Sequence, residues 1–507
     1  MKPKTPLFAT GSLLFGTLVA GAQTNLEWRA EAANGNWEDS SNWWDGLASQ
    51  SPPGAEILSF GNNNQVAMTN DAVNTTRHRI LFLAGASTVR TIAGTSENTF
   101  AAVGENGPLI RNESTVGHNL NFPIGIATAG LTTEAASGPL NLNGALSGSG
   151  TFTKSLGNTV AAGWDGGGVN NVVVSGNNAG FSGKWIVNGG NLSINADAAL
   201  GAVPATLVAD AVTLNGGGLA NMSAANGSGF GAGHDLTLDA NRGISIGANG
   251  GNIRIGYGRT VTVNGPISGT GRLSRTDGGT LIFNGVNTYG GITHLRAGTT
   301  RTGVNGAVPA TTNVLLWGGS TLDLNGTTQS IAGIHVGGTG DTNTTLQLGT
   351  NGNLTVTGNA MPAGSPTNIG GDFVARVRGT GTITYAHATA EGGAVHWDIR
   401  NNTNDFTGTW VIRNGRLRIQ PDTLADTSLG NLENDIVFDG EVEETLLNQG
   451  GRASLQVTNG QSVTHPATRG FTINSGKEGT FYTWGGTTQI VEGMVTGGGN
   501  LRKEDGG

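Results

Sequence analysis

Ile267-Ser268-Gly269-Thr270-Gly271-Arg272-Leu273-Ser274-Arg275 is one copy of a short pattern that returns along this chain, and its return decides the fold. An earlier copy reads Leu146-Ser147-Gly148-Ser149-Gly150-Thr151-Phe152-Thr153-Lys154. Later copies begin at Arg378-Gly379-Thr380-Gly381-Thr382-Ile383-Thr384 and Val495-Thr496-Gly497-Gly498-Gly499-Asn500-Leu501-Arg502-Lys503. A second landmark follows the first three: Phe181-Ser182-Gly183, Tyr289-Gly290-Gly291 and Phe406-Thr407-Gly408. Each leads into a β-rich run, Trp185-Ile186-Val187, Ile292-Thr293-His294-Leu295 or Trp410-Val411-Ile412, and Gly201-Ala202-Val203-Pro204-Ala205-Thr206 recurs letter for letter from Gly306 to Thr311. Internal repetition on this scale marks a repeat architecture.

Between landmarks, runs of four to six residues alternate apolar with polar and end in Gly, Asn or Asp, as in Val212-Thr213-Leu214-Asn215-Gly216, Val261-Thr262-Val263-Asn264-Gly265 and Leu354-Thr355-Val356-Thr357-Gly358. A period of two predicts strands, and those end residues supply the turns. Long helical periodicity is almost absent. Short strands at regular spacing fit a sandwich, a propeller or a solenoid, but the Trp-Asp and Gly-His marks of a WD40 propeller do not recur with a fixed period. The expectation is therefore an all-β fold, a long parallel β-helix whose stacked coils place like residues in columns. Coils of about 22 residues would give roughly 20 rungs and a rod on the order of 100 Å long.

The segment Gly269 to Thr293, including Gly279-Thr280-Leu281-Ile282-Phe283-Asn284-Gly285 and Asn287-Thr288-Tyr289-Gly290-Gly291-Ile292-Thr293, resembles the signature of the autotransporter-associated β-strand repeat proteins. The Gly35-Asn36-Trp37 and Asn42-Trp43 pairs are similar to the Trp-rich start of such proteins. The resemblance covers most of the chain. It implies a β-helical passenger exported to the surface or beyond, and it brings no catalytic residues with it.

Lys2 and Lys4 precede an apolar run from Leu7 to Val19 and the small residues Ala20-Gly21-Ala22, the pattern of a secretory leader. The expected division is 1–22 signal peptide, 23–54 Trp-rich cap and 55–507 β-helical repeats. No later stretch reaches the roughly 18 apolar residues of a transmembrane helix. Val495 to Gly507 opens a fourth repeat and stops before its next strand, so the expectation is a chain cut mid-repeat, with an anchor or translocator lying downstream.

The chain has 88 Gly among 507 residues, 12% charged residues and no Cys. One repetitive domain fits this single texture better than several, and backbone ladders and core packing must hold it without disulfides. A formal net charge of −8 argues against nucleic acid as a partner.

Chemistry-bearing motifs fare poorly. Gly243-Ile244-Ser245-Ile246-Gly247 matches the nucleophile elbow in letters, but the elbow needs a strand, a sharp turn and a helix, and here the context is an alternating strand. His234, Asp235, Asp239 and Arg242 would suit a polysaccharide-cleaving groove if they converge, and would otherwise serve as turn residues at a coil corner. There is no His-Glu-x-x-His, no tandem Gly-Gly-x-Gly-x-Asp calcium repeat and no Gly-Lys-Ser/Thr, so no metal, cofactor or catalytic residues are assigned. Trp28, Trp37, Trp43 and Trp44 crowd the start, while Trp164, Trp185, Trp317, Trp397, Trp410 and Trp484 lie along the coils. They either fill the core or stack on sugars.

Three readings follow: a non-catalytic surface adhesin or structural passenger, a carbohydrate-binding module, and a polysaccharide hydrolase or lyase. The first is preferred, with secretion or display on a bacterial outer surface through the general secretory route, and cell-surface or extracellular polysaccharide as the partner.

Overall fold

The computed structural model describes residues 25–504 apart from 30–34, 47, 49–55, 63–66, 73–74, 157–170, 222–232, 338–342, 359–371, 388–395, 421–426, 443–452, 458–461 and 484. The leader assigned to 1–22 therefore lies outside the described residues, as do Trp164 and Trp484.

The chain folds as a parallel β-helix. Strands are taken in threes, one to each face. Leu131–Ala135, Leu140–Leu142 and Leu146–Gly148 make one coil. Phe152–Ser155, Asn171–Val174 and Gly180–Phe181 make the next. Each strand pairs in parallel with its counterpart, Leu131 opposite Phe152, Leu140 opposite Val172 and Ser147 opposite Gly180. Among the described residues, helix is confined to the short 3-10 turns Ser40–Asn42 and Asp197–Leu200. Two faces grow into sheets of 11 and 12 described strands. The 13-residue strand Thr407–Ile419 bends round a corner, pairing with Asp435–Phe438 on one face and Ala453–Val457 on the next.

Alternation sets what each residue faces. In Leu140–Leu142 both leucines are buried while Asn141 between them points out, and the same inward columns continue through Val172, Val174, Leu192 and Ile194. Outward amides then meet their copies one coil on. Asn141 Nδ2 donates to Asn119 Oδ1 at 2.8 Å from 22 residues away, and Asn284 Nδ2 donates to Asn264 Oδ1 at 2.9 Å from 20 residues away. Each such bond contributes about 0.5–1.5 kcal/mol.

At one end Asn25–Trp28 lies antiparallel to Trp43–Trp44 and parallel to Ile57–Phe60. Trp28, Trp37 and Trp43 are all buried there, with ring centroids 4.9 Å (Trp28 to Trp43) and 5.7 Å (Trp37 to Trp43) apart, and Phe60 beneath them.

The landmarks have physical causes. Gly148, Gly269, Gly379 and Gly497, at matching places in the four copies, have φ of 96°, 105°, 92° and 105°. A Cβ on Gly148 would sit 2.2 Å from Ile126 O and one on Gly269 2.1 Å from Ile246 O, so the corner admits only glycine. Phe181, Tyr289 and Phe406 are fully buried. Trp185 and Trp410 are buried core residues whose Nε1 atoms donate to Leu200 O at 2.9 Å and Leu429 O at 3.0 Å, the same bond in two repeats.

Candidate functional site

Of the four residues weighed as a cleavage site, Asp239 and Arg242 meet at Asp197, whose Oδ1 accepts from Asp239 N at 3.3 Å as well as from Arg242, while Asp235 bonds elsewhere. Arg242 opens the strand Arg242–Ile246, is buried, and grips Asp197 through Nε at 2.9 Å and a terminal nitrogen at 3.1 Å. The same guanidinium donates to Gly201 O at 3.1 Å. Asp239 Oδ1 accepts from Asn241 N at 2.8 Å, a local turn bond, and Asp235 Oδ1 accepts from Thr260 N at 2.9 Å in the next coil. The backbone of His234 is held by Asn221 on both sides, and its side chain is exposed. The partner of Arg242 is thus Asp197, which lies 45 residues earlier and carries no local signal in the sequence.

Ser245 of the elbow-like pentapeptide sits in mid-strand, opposite Thr213 and Ser268, and Ile246 is followed by a turn rather than a helix. The geometry that gives that motif its reactivity is absent at this position.

A serine–histidine contact exists elsewhere. Ser114 Oγ lies 2.9 Å from His118 Nε2, and His118 Nδ1 accepts from Arg90 N–H at 3.2 Å. That acceptor role leaves the proton on Nε2, donating to Ser114. Both side chains are fully buried and the imidazole stacks on Phe82 with centroids 4.1 Å apart. Burial, then the nearby Arg90 charge, push the His118 pKa down to about 3. No substrate reaches this pair; it is a polar element of the core.

Buried cations brace corners. Lys154 Nζ donates to Ser155 O at 2.6 Å, to Leu156 O and to Gly189 O at 3.0 Å. Arg275, at the matching place in the next copy, donates to the carbonyls of Asp277, Ala297 and Gly279. Leu156 and Asp277, each two residues on, have φ of 58° and 69°, so the cation collects carbonyls that a left-handed corner turns inward. Burial lowers the Lys154 pKa to about 7.

Near the other end Asp398 Oδ1 meets Arg418 at 3.0 Å, while Oδ2 lies 3.6 Å from His396 and 3.8 Å from Arg400. Arg418 and Asp398 stand opposite each other on adjacent rungs, so this group links coils. Among the described residues no group of three or more His, Asp or Glu is placed to hold a metal ion, and no helix is long and apolar enough to cross a membrane. Of the described tryptophans, Trp28, Trp37, Trp43, Trp185, Trp397 and Trp410 are buried; Trp44 and Trp317 keep accessible surface.

Fold and side chains together define a β-solenoid whose polar clusters serve the stack. No family model matches the chain and no solved structure matches it. The chain is similar to the adhesin BmaC autotransporter of Brucella suis biovar 1 (strain 1330), 28% identical over 269 residues, which cover 53% of this chain and 7% of that protein. The matched stretch is thus a small part of that relative's length.

Proposed function

We propose that this chain is a non-catalytic adhesive or structural passenger of the autotransporter-associated β-strand repeat type, exported through the general secretory route and displayed on or released from a bacterial outer surface. The observation that carries this reading is the similarity to an autotransporter adhesin, joined to a solenoid of parallel rungs. The expected division is a leader over 1–22, a Trp-rich cap over 23–54 and repeats from 55. Asp235, Asp239 and Arg242 support it indirectly, since their side chains are engaged in a rung contact, a turn and an ion pair, while the His234 side chain is exposed.

The test is to display the chain on a non-adherent bacterium and count cells retained on epithelial monolayers and on surface polysaccharides. Retention several-fold above the parent strain supports the reading. A well-displayed chain that adds no retention, or a purified chain that generates new polysaccharide ends, overturns it.

A further inference from the structure

One corner of the solenoid differs from the rest. It joins Gly251–Arg254 to Thr260–Val263, and on the following coils Leu273–Thr276 to Thr280–Phe283, Thr293–Arg296 to Thr299–Thr302 and Asn313–Trp317 to Thr321–Asp323. Just past it, Thr260, Thr280, Thr299, Thr321 and Thr345 stand in register on five consecutive rungs, all outward and part-exposed. A row of five hydroxyls at the strand spacing of about 4.8 Å is a ladder of donors and acceptors parallel to the solenoid axis.

Aromatic rings stand on the first and fourth of these rungs. Tyr257, on the first of these corners, is 64% exposed, and a Cβ on Gly278 of the next coil would sit 2.1 Å from its ring, so the ring lies over that glycine with much of its surface open to solvent. Trp317 ends a strand three rungs on, about 14 Å along the axis; it is part-exposed, with one side of its ring against Gly337, where a Cβ would sit 2.1 Å from it. Between the two rings the corner is built of Asp277-Gly278-Gly279 and Ala297-Gly298, without bulky side chains. The Arg296 guanidinium lies 5.8 Å from the Trp317 ring centroid, and Arg259 stands two residues after Tyr257 on the first corner; both arginines are part-exposed. Arg296 ends the strand before the corner and Arg259 precedes the strand after it, two rungs apart, about 10 Å along the axis. The carboxylate between them, Asp277, is already engaged by Arg254 Nε at 2.5 Å, and Asp235 closes the outer end on Thr260 N. On a chain with a net charge of −8, this strip presents cations next to aromatic faces.

We propose that this corner is a binding strip for an acidic oligosaccharide lying along the solenoid axis. Sugar faces stack on Tyr257 and Trp317, carboxylates on alternate sugars meet Arg259 and Arg296, and ring hydroxyls bond to the threonine row. The proposal adds a ligand class to the adhesive reading and rests on it only for biological setting.

The test uses the purified chain with a hyaluronan tetrasaccharide and the neutral chitotetraose, by titration calorimetry and tryptophan fluorescence. Hyaluronan binding is expected to weaken about tenfold in Tyr257→Ala and in Arg296→Gln, and to fall with added salt. Tyr257 is exposed, so that variant keeps the wild-type unfolding profile. No binding to the folded chain, equal affinity for chitotetraose, or unchanged affinity in both variants overturns the strip. Retention of displayed cells in the face of any of these outcomes would leave the adhesive reading standing while removing this ligand from it.

Discussion

Asn287 Oδ1 accepts a 2.7 Å hydrogen bond from the backbone N–H of Ile267, one coil earlier, while its Nδ2 donates at 2.7 Å to Ala307 O, one coil later. Asn178 does the same between Leu146 N and Ala199 O, and Asn404 between Val377 N and Ser428 O, with all bonds at 2.6–2.7 Å. One buried amide thus ties three rungs where the backbone leaves the sheet. Replacing Asn287 with Ala strands a buried donor and a buried acceptor, at about 1–3 kcal/mol each. Because a solenoid opens locally, amide hydrogen exchange is the right measurement. Protection at Ile267 and in the adjoining rungs should fall by at least tenfold, with distant coils unchanged.

The marker glycines give a sharper contrast. Gly269 and Gly306 both have positive φ, 105° and 66°, but a Cβ on Gly269 meets Ile246 O at 2.1 Å while one on Gly306 meets nothing within 4 Å. Gly306→Ala should cost only the conformational term, about 1 kcal/mol. Gly269→Ala must also move backbone, and should cost at least twice as much in urea-unfolding midpoints. Equal costs would show that the corner yields more readily than its contacts imply.

The fold was legible because a period of two, glycine at fixed places and repeated landmarks are local properties of sequence. Environment was not. The hexapeptide from Gly201 to Thr206 is identical to that from Gly306 to Thr311, yet Ala202 and Val203 are exposed where Ala307 and Val308 are buried. The asparagine clamps explain the mismatch: Asn178 reaches Ala199, so Ala199 and not Ala202 is the counterpart of Ala307. Asp197–Leu200 forms a 3-10 turn that fills the core with Leu200 and pushes the shared letters outward. Letters alone carry no record of such a shift. The Arg242–Asp197 pair was hidden for a related reason, since the two residues meet only through coil stacking. The tyrosine–threonine corner was equally hidden: its threonines are spaced by coils of unequal length and read as isolated β-formers until they are stacked.

Arg242 makes a further prediction, about stability rather than catalysis. Arg242→Met leaves Asp197 without its guanidinium and three carbonyls with fewer donors, which should cost on the order of 3 kcal/mol. Asp235→Ala removes one exposed bond to Thr260 N and should cost no more than about 1 kcal/mol. Limited proteolysis compares them: the first variant should be cut near 197–202 while the second resists like the parent. A reversed order would mean that the corner is held by something other than this pair.

Acid should weaken the solenoid through its interior histidines. His118 is lowered to about 3, and His294 and His335 to about 4, in each case chiefly by burial. In the unfolded chain each titrates near 6.5. Between those values the unfolded state binds more protons, so stability rises with pH; read downward, it is lost as pH falls from about 6.5 toward 4 and is flat above that window. His118 shows why in atoms: its Nδ1 accepts from Arg90 N–H at 3.2 Å, and a proton there would set two donors against each other in a dry core beside Phe82. Lys154, lowered to about 7, adds a separate rise in stability as pH climbs from about 7 toward 10, where the unfolded chain still holds its proton. Melting temperatures taken from pH 4 to 10 check both windows. His118→Asn should make the acid limb shallower, with His294 and His335 supplying what remains, and leave the alkaline limb unchanged, whereas Lys154→Met should flatten the alkaline limb alone. A parent protein with the same melting temperature at pH 4.5 and 6.5 would show that water or an unseen partner reaches these imidazoles.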